Sequence, residues 1–243
     1  MYSIKEVLQL LLIVIVIGLP PYLIALKTFR NLKLITIIIL SIIYWGGTIY
    51  TQQVIPFILI LILLIVNSRN KKIMEEYEPS IVNKKFTLKD FILIAGATIL
   101  IRFPIGIINI FYVLLVDLIG INVQSQEVVD IFVNSQNNML NILIILLVVI
   151  VAPLNEEFSM RYWLFGKVLS PRAGAIIAAL ISSGLFTLLH YNIAGVPTFF
   201  VLGLYACYIY YRKGFWGAVT VHFIFNLSSV LLLMLTKLII PIA

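Results

Sequence analysis

The sequence predicts an all-α polytopic membrane protein of about eight transmembrane helices, and three observations carry that expectation. Of the 243 residues, 62% are hydrophobic and only 11% are charged. Mean hydropathy is +1.12, whereas a soluble domain is about half apolar and about a quarter charged. Apolar runs close to the ~20 residues that a helical span requires recur along the whole chain. A globule of this size cannot hide so much apolar surface from water. A soluble enzyme, a nucleic-acid-binding module and a disordered chain are therefore excluded.

Apolar runs read against polar breaks give the spans 7–26, 34–50, 54–66, 91–119, 139–168, 173–190, 195–211 and 215–236. The first follows Lys5, is too long for the apolar stretch of a signal peptide and has no small-residue cleavage site. The third is short and follows the second after only Thr51-Gln52-Gln53. The fourth and fifth are long enough to tilt or bend, and Pro104 and Pro153 mark the bends.

Loop charge tests the count. Lys27, Arg30 and Lys33 follow the first span, and none follows the second. The hydrophilic loop 67–90 carries Arg69, Lys71, Lys72, Lys84, Lys85 and Lys89, and 120–138 has no Lys or Arg. Lys167 and Arg172 flank the next link, 191–197 is neutral, and Arg212 and Lys213 fill the last. This alternation fits eight spans with the basic loops cytoplasmic and both termini outside. The chain then divides into N-terminal helices (1–120), an outer loop (121–138) with a short amphipathic surface helix, and a four-helix core (139–236). Tyr205, Tyr208, Tyr210, Tyr211, Phe215 and Trp216 are expected to form an interfacial belt. The lone Cys207 allows neither a disulfide framework nor a cysteine metal site.

Ionisable groups within spans are costly and mark function by default. Here they are Arg102, Asp117, Glu156, Glu157, Arg161, His190 and His222. Glu157 and Arg161 lie at i and i+4 with the acid first, the favourable order for an ion pair. Glu156 is turned about 100° away, free to meet another helix. That split makes Glu156 the reactive carboxylate and Glu157–Arg161 its brace. Phe186 and His190 share one helix face, as do His222 and Asn226. In lipid such groups are satisfied most easily by meeting one another. A rise of 1.5 Å per residue puts Glu156 about 18 Å above a turn near 168 and His222 about 12 Å above one near 214. His190 would stand about 27 Å above a turn near 172. Tilt, a bend at Pro153 or a later start to the sixth span must reconcile these depths. Arg102 is expected to salt-bridge a site carboxylate, the alternative being to bind a substrate carboxyl terminus.

In order and on separate spans, EEFSMR fits EExxxR, FTLLH fits FxxxH and HFIFN fits HxxxN. Together these motifs resemble the CPBP family (CAAX proteases and bacteriocin-processing enzymes, also called Abi), over roughly 139–230. The resemblance implies an intramembrane endopeptidase related to type II CAAX prenyl proteases. Its substrate would be a membrane-bound or hydrophobic peptide, in peptide maturation or bacteriocin self-immunity, and its home a bacterial plasma membrane. Nucleic acid is not an expected partner. Glu156 would be the general base, His190 would share the water, and His222 and Asn226 would stabilise the oxyanion. Glu157, Arg161 and Phe186 would support them. Glu156, His190 and His222 are also a ligand combination used by catalytic zinc. Relatives are commonly labelled metalloproteases, and the sequence leaves zinc and metal-free chemistry both open. Two other classes compete: a transporter or channel with a Glu/His pathway, and a non-catalytic immunity or scaffold protein. Absence of visible repeat symmetry argues against the transporter.

Overall fold

The computed structural model describes residues 4–69, 85–121, 123 and 126–239. Ten α-helices are described: α1 (Ile4–Thr28), α2 (Leu34–Thr51), α3 (Val54–Arg69), α4 (Leu88–Leu118), α5 (Glu127–Asn134), α6 (Asn138–Leu146), α7 (Ala152–Glu157), α8 (Ser170–Leu189), α9 (Val196–Lys213) and α10 (Phe215–Ile239). Two π-helical stretches, Leu147–Val151 and Phe158–Leu169, join α6 to α7 and α7 to α8. No strand is present among the described residues. By length and composition, five helical runs can cross a membrane: Val7–Thr28, Leu34–Thr51, Leu88–Leu118, Asn138–Leu189 and Phe215–Lys237. The 52-residue run holds two of the expected spans, and Val54–Val66 is a shorter apolar helix. Of the hydrophilic loop 67–90, residues 70–84 lie outside the described residues.

Helix ends follow local chemistry. Thr87 and Asp90 form a reciprocal capping box at the start of α4, and Asn137 accepts from the Met139 and Leu140 N–H groups at the start of α6. Asp90 also binds Lys213 at 2.6 Å, fixing the start of α4 beside the end of α9. Apolar side chains such as Leu34 (73% exposed), Leu100 (69%) and Ile176 (80%) point outward, which in this chain means toward lipid.

Gly174 has φ 77° and ψ 161°, a conformation open to glycine but not to side chains with a Cβ. It folds 138–189 into a hairpin, so that Ser182 Oγ on one limb donates to Met160 O on the other at 3.0 Å. The turn lies eighteen residues after Glu156 and sixteen before His190, which levels the two depths. The error in the sequence reading was to end the fifth span at 168; the helix continues to the glycine. Gly203 lets α9 approach α8, since a Cβ there would stand 2.8 Å from that of Ser183.

The aromatic belt divides. Phe215 (0% exposed) and Tyr210 (6%) are core residues with Phe158, Tyr162 and Phe165, while Tyr208, Tyr211 and Trp216 are exposed. The 3.6-residue period sends successive aromatics to opposite faces, so one run of them cannot all meet the interface.

Candidate functional site

The site begins with a proline. Proline has no N–H and clashes with the carbonyl four residues back, and the chain widens into the π turn Leu147–Val151 just before Pro153. π turns are rare and concentrate at functional sites. The Ala152 N–H goes to Leu147 O, and Pro153 can donate to nothing. Val148 O thus has no donor from its own helix at either i+4 or i+5. The Asn226 carboxamide fills that place, its Nδ2 donating to Val148 O at 2.9 Å. Only one of the two amide hydrogens is spent there.

One turn later the two glutamates part as their rotation predicts. The Glu157 side chain is fully buried, and that of Glu156 is 16% exposed. Glu157 Oε1 stands 3.1 Å from an Arg161 guanidinium nitrogen and 2.8 Å from His222 Nδ1. The guanidinium lies over the Phe186 ring, 4.2 Å from its centroid, a cation–π contact in a dry setting. The same ring meets His190 edge-on at 4.6 Å and His222 at 5.5 Å.

Both imidazoles are oriented through Nδ1. His190 Nδ1 is 2.7 Å from Phe186 O, and its ring stacks on Phe199 at 3.9 Å. A carbonyl oxygen only accepts, so Nδ1 carries the proton and Nε2 of the neutral ring is an acceptor. His222 donates from Nδ1 to the Glu157 carboxylate by the same logic. Its Nε2 is 4.0 Å from Glu156 Oε2.

Glu156 and His190 line one cavity of about 560 Å³, together with Gln9 and Ile13 of α1, Gln53, Gln126, Glu127 and the link Tyr191–Ile193. His222 lies behind Glu156, nearly buried. The structure thus brings His190 and His222 together around Phe186, with Glu156 beside His222 and in one cavity with His190. Asn226 is held apart from them on the π turn by its bond to Val148 O.

Arg102 is not near a site carboxylate. It donates to Phe225 O and to Ser228 Oγ and Ser229 Oγ, at 2.7 and 2.9 Å for the hydroxyls, with its guanidinium over the Phe225 ring. A backbone carbonyl and two hydroxyls on α10 satisfy it without a second buried charge.

Sequence reasoning missed the cavity wall contributed from outside the motifs. Asn155 Nδ2 donates to Gln53 O at 2.8 Å and to Gln53 Oε1 at 2.7 Å, tying the α2–α3 turn to α7. The polar break Thr51-Gln52-Gln53 was the available signal. Among the described residues, no three His, Cys, Asp or Glu side chains group closely enough to hold a metal ion. As positioned, Glu156, His190 and His222 do not close on one point.

Neither a curated protein nor a solved structure matches the chain. Residues 138–228 match the family model described as Rce1-like, type II CAAX prenyl endopeptidase Rce1-like. The matched stretch lies on the C-terminal side of this integral membrane protein and carries Glu156, His190, His222 and Asn226 alike, so that this part of the chain is similar to the CAAX prenyl endopeptidases.

Proposed function

We propose that the protein is an intramembrane endopeptidase that hydrolyses a peptide bond of a hydrophobic or membrane-bound peptide by glutamate-activated water. The observation that carries the reading is that Glu156 and His190 face one cavity, with His222 Nε2 4.0 Å from the Glu156 carboxylate. Water sits between the Glu156 carboxylate and the Nε2 acceptor of His190. Glu156 takes one proton as the water oxygen bonds to the scissile carbonyl carbon. Negative charge then moves to the carbonyl oxygen. The second amide hydrogen of Asn226 and a doubly protonated His222, its Nδ1 charge balanced by Glu157, donate to that oxygen. Collapse of the intermediate breaks the C–N bond, and the proton held by Glu156 passes to the leaving amine. Arg161 and Phe186 hold Glu157 and both imidazoles in place.

No step in this scheme uses a metal. Glu156→Gln is expected to reduce cleavage by about 10²–10⁴-fold while the protein still accumulates in the membrane, and a zinc chelator is expected to leave the wild-type rate unchanged. Unchanged cleavage by the glutamine variant removes Glu156 from the chemistry. Loss of activity on chelation with recovery on adding zinc overturns the metal-free scheme.

The proposed orientation keeps the basic loops in the cytoplasm, so the cavity, on the opposite end, opens outward. Cys207 is buried and is the chain's one cysteine, which makes it a silent background. A membrane-impermeant maleimide is expected to label Gln136→Cys in intact cells and Arg172→Cys only after lysis. The reverse pattern inverts the topology.

A further inference from the structure

The two ends of the molecule differ in charge, and the cavity opens at the end poor in cations. Its wall carries two carboxylates, Glu127 of α5 and Glu156, with the neutral amides of Gln9, Gln53, Gln126 and Asn192, and no Lys or Arg. Among residues whose side chains are described, Lys237 is the one Lys or Arg at this end. Its ammonium donates to Phe132 O and Ser135 O and lies near the Phe132 ring. It is thus committed to the C-terminal end of α5, while Glu127 stands at the N-terminal end, about 10 Å away along the axis. Buried Phe132, packed with Val149 and Val230, anchors α5 against the π turn. The Glu127 side chain is therefore presented at the mouth by a fixed element. It is exposed and has no ion-pair partner among the described residues. The first turn of a helix favours a carboxylate at this position.

We propose that the cavity selects a peptide segment bearing a Lys or Arg side chain, with Glu127 as the specificity-determining carboxylate. This deepens the protease reading and rests on it. Among the described residues the mouth is rimmed by acids and holds no cation, which attracts a basic segment and repels an acidic one before any contact forms. The amides beside it offer hydrogen bonds to a peptide backbone without adding charge. Glu127 acts on recognition and has no part in moving protons.

The test uses the full chain in nanodiscs of zwitterionic lipid, with one hydrophobic peptide made in Lys, Gln and Glu versions at a single site. Binding is read by fluorescence anisotropy and cleavage by mass spectrometry. Wild type is expected to bind the Lys version about fivefold tighter than the Gln version, the upper range for one exposed ion pair. E127Q is expected to abolish that preference, E127K to favour the Glu version, and salt to weaken the wild-type preference. Equal binding of all three peptides by wild type and E127K overturns the proposal, even where cleavage proceeds. Charge-selective binding with no cleavage of any peptide supports it and instead overturns the protease reading.

Discussion

The N-terminal helices α1–α4 and the region from α6 to α10 have similar apolar content but bury different things. Among the described residues of the first region, the buried polar ones are Thr48, Asp90 and Thr98. In the second they include Asn155, Glu157, Ser159, Arg161, Ser182, Ser183 and His222. α1 and α2 pack through Tyr22, Tyr44 and Trp45, whose rings meet at 5.2 to 5.5 Å, and Tyr44 donates to Gly18 O at 2.6 Å. These contacts build shape. The second region spends its burial on charges held in fixed geometry, which is costly in lipid and worthwhile only where chemistry repays it. The N-terminal helices still reach the cavity, but through the neutral amides of Gln9 and Gln53.

Substitutions on either side sharpen that contrast. Arg161→Met leaves Glu157 buried with His222 alone for company, and breaking a buried ion pair in this way costs about 3–5 kcal/mol. Thermal denaturation in detergent is expected to show the loss directly, with cleavage failing because less folded protein remains. Normal stability in this variant would mean that Glu157 needs no countercharge. Asn226→Ala is expected to lower kcat by about 10²–10³-fold, as removal of one oxyanion donor does, and to lower the melting temperature modestly, since Val148 O loses its donor at a cost of about 1–3 kcal/mol. A large loss of stability with kcat intact would make the Asn226–Val148 bond structural only. The smallest effect is expected in the other half. Tyr44→Phe removes a buried hydrogen bond worth about 1 kcal/mol and leaves the cleavage rate per folded molecule unchanged. A slower rate there would erase the division between shape and chemistry.

Most helices were legible because lipid imposes one simple demand, about 20 apolar residues per crossing, whereas the turn at Gly174 was set a few residues too early. The short amphipathic helix in 121–138 was visible for a related reason: Phe132 falls on its apolar side. The pairing of Glu157 with Arg161 followed from helical spacing alone. Spacing fails where the helix is not an α-helix. The π stretches around Glu156 change which residues stack, and nothing in Leu147–Val151 announces them except the proline that follows. Arg102 was misread because a cation in a membrane invites the search for an anion; two serines three and four residues beyond Phe225, with its carbonyl, serve equally well. The wall built by Gln53 needed a contact across about a hundred residues of chain, which no local pattern encodes.

The bond from Asn226 to Val148 answers a deficit written in covalent structure. An imino acid at 153 can never supply the absent hydrogen, so heating, detergent or a thinner bilayer does not heal the fault. Val148 O therefore offers the carboxamide of the last helix one fixed seat. Alignment between two helices far apart in the chain is thereby tied to one ring closure.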